Sequence, residues 1–96
     1  MFKKDPHHML DLPRDLTYDA GFPLVSLVDD TAFYVVQFER RKPDQPDQYY
    51  VFILDINAPV LSSDPVAVAD AALVWDCADS RYMLSRKISA WLGEAL

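Results

Sequence analysis

The chain has 96 residues, of which 51% are hydrophobic and 25% are charged, a composition that is ordinary for a single globular domain. Its net charge of −6 repels phosphate backbones, and its two glycines are too few for the glycine-rich loops that cradle nucleotide phosphates. The sequence therefore excludes nucleotide chemistry by those routes and argues against direct nucleic-acid binding. It has no apolar run of membrane-spanning length and its N-terminus does not resemble a signal peptide, so we expect a soluble, cytoplasmic protein without membrane contact.

Residues 1–21 are predicted to form an N-terminal arm that packs onto the domain. Asp5 before Pro6 is typical of the start of a single helical turn. His7 and Asp11 have the i, i+4 spacing of two metal ligands, but two ligands make a weak site, and we interpret the histidines as surface residues. We therefore predict no metal and no cofactor.

Residues 22–56 are predicted to form an antiparallel meander of three strands, over residues 22–28, 31–39 and 48–56. Asp29 and Asp30 predict a tight hairpin between the first two strands. A loop with a repeated Pro-Asp-Gln sequence joins the second strand to the third. In the third strand both faces are apolar, because Tyr50, Phe52 and Leu54 alternate with Tyr49, Val51 and Ile53. Such a sheet needs cover on two sides, either from the chain itself or from a partner.

Residues 64–96 are predicted to form the helical part. Asp64 followed by Pro65 favours a helix start, and the alanine-rich residues 66–73 favour a short helix before an extended segment, although residues 71–77 also fit a fourth strand. Leu84, Ile88, Trp91, Leu92 and Ala95 follow helical spacing and predict an amphipathic C-terminal helix. The predicted fold is one α+β domain, a three- to four-stranded antiparallel meander with the C-terminal helix packed on one face.

Two single residues allow more than one interpretation. Cys77 is the one cysteine, and its acidic neighbours favour an inert or buried thiol over an activated nucleophile. Asp55 interrupts an apolar strand, which fits the exposed end of that strand or, alternatively, a buried carboxylate paired with a residue such as Arg40.

The negative charge is concentrated in one part of the sequence. Between Pro43 and Ser80 there are seven aspartates and no lysine or arginine. These acids fit either ordinary loop and cap residues or an acidic face that binds a basic partner. The basic run Arg40–Lys42 beside them fits a solubilising loop or a docking tip. The residues predicted to bind a partner are Asp29, Asp30, Arg40, Arg41, Lys42, Asp44, Asp47, Asp64 and Asp70.

No set of residues resembles a catalytic site, so the chain is predicted not to be an enzyme. We expect a small acidic protein-binding module that binds a basic, nucleic-acid-handling protein. An inhibitor such as an immunity protein or a phage anti-defence protein of the anti-CRISPR type is the specific form that size and charge favour. The alternative is a structural or adaptor protein that forms a homodimer through the second sheet face, and a small enzyme ranks third.

Overall fold

A computed structural model describes residues 12–13, 15–26, 30–58 and 62–94. The described chain forms four strands and two helices. In chain order these are β1 (Thr17–Val25), β2 (Ala32–Arg40), β3 (Gln48–Asp55), α1 (Pro65–Ala71), β4 (Val74–Ala78) and α2 (Arg81–Glu94). The strands lie in the order β1-β2-β3-β4 and each pair of neighbours is antiparallel. The predicted α+β meander with a C-terminal helix is confirmed, and the region with two interpretations contains the helix first and the fourth strand second.

Strand β1 begins at Thr17, five residues before the predicted start, and ends at Val25. The register shifts between Tyr18 and Ala20, so Asp19 forms a bulge in the strand. Gly21 lies within the strand, although glycine is uncommon in strand interiors. A Cβ atom there would be 2.6 Å from the Tyr18 hydroxyl oxygen, so glycine makes room for this side chain. The predicted turn at Asp5 and the His7–Asp11 pair lie outside the described residues.

The connection from β1 to β2 is wider than the predicted two-residue turn. The Ser26 amide donates to the Thr31 carbonyl at 2.8 Å, which leaves residues 27–30 between this bonded pair. Asp30 has a φ of 60°, in the left-handed region that aspartate tolerates better than most residues. Asp29 lies outside the described residues.

Helix α2 covers one face of the sheet. Leu84 and Ile88 are buried against Val35, Val51 and Ile53 of the two inner strands. Farther along the helix, the Trp91 ring meets the Phe33 ring edge to face, with 4.9 Å between centroids. The described part of the apolar stripe predicted from the sequence is therefore the surface that packs, and Ala95 lies outside the described residues.

The second face of the sheet is also covered by the chain itself. Phe38, Phe52 and Leu54 are fully buried on this face. Their cover comes from two segments that are distant in sequence, the arm through Leu12 and Leu16, and helix α1 through Val68 and Ala69. Because this face is closed within the chain, the apolar surface expected to drive homodimer formation is absent from the inner strands.

Candidate functional site

The predicted partner-binding residues that the structure describes, which are all except Asp29, belong to connections at two opposite ends of the sheet. Arg40 pairs with Gln48 in the register, and Phe33 pairs with Asp55, so these two rows mark the ends of the paired strands. They are seven residues apart along each strand, or ~23 Å at the usual rise per residue. The fold divides the seven aspartates between Pro43 and Ser80 between these two ends and the interior, so they do not form the single acidic face that was one of the two interpretations of the sequence.

The first end carries the connection between β2 and β3, and its charges are largely paired within the chain. Asp15 of the arm accepts from both Arg40, at 3.3 Å, and Lys42. Arg41 lies 3.6 Å from Asp47. The hydrogen bond from Lys42 lowers the pKa of the Asp15 carboxyl below its ordinary value, although partial burial opposes the effect. The predicted docking tip is thus a mixed surface that also fastens the arm.

Four exposed carboxylates, Asp30, Asp55, Asp64 and Asp70, belong to the connections at the opposite end of the sheet, and we call this set the acidic end. Asp30 is three residues before Phe33, and Phe33 pairs with Asp55. Asp70 is three residues before Leu73, whose amide donates to the Ile53 carbonyl at 2.8 Å. Asp64 is the N-cap of α1 and Asp70 lies near the end of this helix, six positions later. Six residues of an α-helix span ~9 Å along the helix axis.

None of these four carboxylates takes part in an ion pair with another described residue. Asp64 and Asp55 instead bind backbone amides. The Asp64 carboxylate accepts from the Val66 amide at 3.0 Å and caps α1, as predicted. Asp55 accepts from the Asn57 amide at 2.8 Å at the exposed end of β3, so the interpretation as a strand end holds and Arg40 is not its partner. Sequence reasoning left Asp55 out of the partner-binding residues because both of its interpretations, a strand end or a buried carboxylate paired with a residue such as Arg40, were structural.

Asp76 departs most from the pattern of exposed acids. It is 2% exposed, and its Oδ1 atom accepts from the Cys77 amide at 2.8 Å. Lys87 of α2 approaches the same oxygen at 3.4 Å. Asp76 therefore belongs to the interior between β4 and α2 and is not available to a partner.

The N-terminus of α2 is fastened to the sheet by Arg81. Its guanidinium donates to Asp19 at 3.2 Å and to Glu39 at 2.6 Å, and it lies 5.3 Å from the centre of the Tyr49 ring. The hydrogen bond with Asp19 raises the pKa of Arg81. These partners are 62 and 42 residues away in sequence, so helix periodicity does not reveal them.

An open groove with a volume of about 400 Å³ lies where the β2–β3 connection meets the end of β4 and the first turns of α2. Cys77 lines it as a half-buried free thiol. Acidic, basic and apolar side chains share its walls, so the groove selects no single ligand charge. The other lining residues that matter are Pro46, Asp47, Asp79, Met83 and Lys87.

Among the described residues, no three side chains of His, Cys, Asp or Glu are grouped as metal ligands would be. No helix in this part of the chain has the length and apolar character needed to cross a membrane. Comparison of the chain with family models, with curated proteins and with solved structures finds no match.

Proposed function

We propose that the chain is a small non-catalytic protein-binding module that presents its acidic end to a basic surface of a protein that handles nucleic acid. One observation carries the proposal. The acidic end has four exposed carboxylates without an ion-pair partner among the described residues, whereas the cations at the opposite end bind acids of the same chain.

The physical reason is that a nucleic-acid site is built to attract negative charge. Lysine and arginine side chains in such a site meet phosphates, and the release of counterions drives their binding. A rigid group of carboxylates offers the same charge on a protein surface, and complementary potentials speed encounter and favour the correct orientation. A protein of this kind inhibits its partner by occupying the phosphate site, as an immunity protein or a phage anti-defence protein does.

The test uses two double variants that remove equal charge from opposite ends. Asp55→Asn with Asp70→Asn neutralises part of the acidic end, and the matched control is Asp44→Asn with Asp47→Asn. Asparagine at position 55 keeps an oxygen that accepts from the Asn57 amide, so the local turn is retained. The wild type and both variants serve as bait for affinity capture from the native host, with elution by rising salt.

We expect the wild type and the control variant to capture a basic nucleic-acid-binding protein, which elutes as the salt concentration rises. The variant of the acidic end should not capture this protein. The captured protein should also lose binding to its nucleic acid when the wild-type chain is added. Equal retention of every captured protein by the three baits would contradict the proposal, because no interaction would then depend on the acidic end.

A further inference from the structure

The groove between the β2–β3 connection, the end of β4 and the first turns of α2 has the size of a small-molecule site. Its volume of about 400 Å³ lies within the ~300–1,000 Å³ that is usual for such sites. Pro46, Ala78 and Met83 give it apolar surface, and Met83 is 40% exposed. The groove therefore has room for a ligand of amino-acid size and apolar walls to receive a side chain.

Lys87 brings a fixed positive charge to this groove. Its Nζ atom donates to the Cys77 carbonyl at 2.8 Å and lies 3.4 Å from Asp76 Oδ1. An ammonium has three N–H donors, so these two contacts leave one donor for a ligand. The Lys87 side chain is 33% exposed, whereas that of Asp76 is 3% exposed. The ammonium is thus accessible from the groove, and the carboxylate that holds it is not.

Asp79 brings the opposite charge close to Lys87. It is exposed, it lines the groove, and no ion pair with it occurs among the described residues. Cys77, whose carbonyl binds Lys87 Nζ, is two residues before Asp79, a distance of at most ~7 Å along the chain. One small ligand can therefore contact both charged groups.

We infer that the groove binds an apolar α-amino acid in its zwitterionic form. The ligand carboxylate accepts from Lys87 Nζ, the ligand ammonium donates to Asp79, and the ligand side chain lies against Met83 and Pro46. The groove is at the end of the sheet opposite to the acidic end, so this inference does not depend on the proposed function.

Complementary charge selects this ligand over simpler ones. A plain anion would meet the carboxylates of Asp79 and Asp47, and a plain cation would meet the ammonium of Lys87. An α-amino acid carries both charges on a single carbon atom. The short stretch of backbone from Cys77 to Asp79 suits that spacing better than the separated ends of a peptide.

The test is a nuclear magnetic resonance titration of the ¹⁵N-labelled full chain with L-leucine. L-leucine amide lacks the carboxylate, N-acetyl-L-leucine lacks the ammonium, and glycine lacks the side chain, so each matched compound removes one predicted contact. L-leucine should shift the backbone amide signals of Ala78, Asp79 and Met83 to saturation. Each of the other three compounds should bind at least about tenfold more weakly, the usual effect of losing one charged hydrogen bond or a buried leucine side chain.

Two outcomes would overturn the inference. One is the absence of a saturable shift at these amides with L-leucine, or equal binding of leucine and the compounds that lack a charge. The other is tighter binding of trileucine than of leucine, which would assign the groove to a peptide.

A protein variant tests the role of Asp79 without disturbing the buried charge beside Lys87. Ser80 Oγ accepts from the Met83 amide at 3.1 Å, so the start of α2 is retained in Asp79→Asn. The control is Asp44→Asn, since Asp44 is an exposed acid of the β2–β3 connection that does not line the groove.

We expect Asp79→Asn to weaken L-leucine binding about tenfold and to leave N-acetyl-L-leucine unaffected, because only leucine has an ammonium to lose a partner. Asp44→Asn should bind both compounds as the wild type does. Equal effects of Asp79→Asn on the two compounds, or equal weakening by Asp44→Asn, would contradict the assignment of Asp79 as the ammonium site.

Discussion

Individual aspartates in this chain have distinct roles, which depend on whether the side chain is exposed to solvent or buried. Asp55 ends β3 in solvent and accepts from the Asn57 amide, whereas Asp76 is inside, bonded to the Cys77 amide and close to Lys87. A buried carboxylate is costly unless such donors surround it. Removing Lys87 should therefore disturb the interior, whereas neutralising Asp55 should not.

Asp15 provides a prediction on pH. Its pKa is lowered mainly by the hydrogen bond from Lys42, with a contribution from the charge of Arg40. A carboxyl whose folded-state pKa is depressed adds stability that is fully present above its unfolded-state pKa and is lost as pH falls through the folded-state value. The wild type should therefore have a higher melting temperature than Asp15→Asn near neutral pH, and this difference should vanish well below pH 3.8, the ordinary value for the group.

Thermal unfolding of both proteins across this range measures the effect. Asp44→Asn is the control, since Asp44 is an exposed acid in the neighbouring connection and no ion pair with it occurs among the described residues. A melting-temperature difference for Asp15→Asn that is the same at neutral and acidic pH would show that the ion pairs do not fasten the arm.

At the scale of the element, helix α2 combines a buried apolar stripe with an exposed face that carries an aromatic side chain. Leu84 and Ile88 lie on the sheet, while Tyr82 is 69% exposed and stacks with Arg86. The apolar spacing of the stripe dictates which side of the helix packs. The position of the helix along the sheet is set by contacts at both ends, Arg81 at the start and Trp91 near the finish.

This arrangement predicts unequal effects of alanine substitutions along α2. Leu84 is 1% exposed, so Leu84→Ala should lower the free energy of unfolding by about 2–5 kcal/mol through lost burial and a cavity. Trp91 is only half-buried, and Trp91→Ala should cost about 3 kcal/mol, the lower end of the range for that change. Tyr82→Ala should change stability by less than about 0.5 kcal/mol.

Chemical denaturation of the three variants gives these values directly. Tyr82→Ala is the matched control, because it removes a large side chain from the same helix without opening the core. A Tyr82→Ala cost as large as that of Leu84→Ala would mean that the helix does not pack through the predicted stripe.

At the scale of the whole molecule, charge is separated along the strand direction. Asp55 of the acidic end and Arg40 at the start of the β2–β3 connection lie in rows of the sheet that are ~23 Å apart. The Debye length at 0.1 M salt is ~10 Å, which is shorter than this separation. The charges at one end are therefore largely screened from a partner that binds at the other end. The location of a charge should therefore matter more than the net charge of the molecule.

Charge reversal tests this expectation with the partner identified by affinity capture. Asp55→Lys with Asp70→Lys should slow association more than it speeds dissociation, because steering acts on the encounter. Asp44→Lys with Asp47→Lys changes the net charge equally and should slow association much less. Binding kinetics at two salt concentrations measure both effects, and equal slowing by the two variants would mean that net charge alone governs the encounter.

The sequence by itself determined the elements and their order. Strand alternation, the Asp64–Pro65 helix start and the stripe from Leu84 to Leu92 are local patterns, and each depends on residues a few positions apart. These patterns were sufficient to predict the α+β meander and to identify the face of α2 that packs. They missed the start of β1, because Gly21 reads as a break until Tyr18 and Tyr34 are seen to need its space.

Only the tertiary structure decided how the second face is covered and where the charges lie. Leu12 and Val68 belong to one buried cluster with residues of β3 although their positions differ by 56, and no local pattern encodes such an arrangement. The same holds for the aspartates between Pro43 and Ser80, which are continuous in sequence. An antiparallel chain reverses at every connection, so neighbours in sequence are carried to opposite ends of the sheet. Folding thereby separates Asp47 from Asp55, buries Asp76 and leaves the acidic end without an ion pair among the described residues.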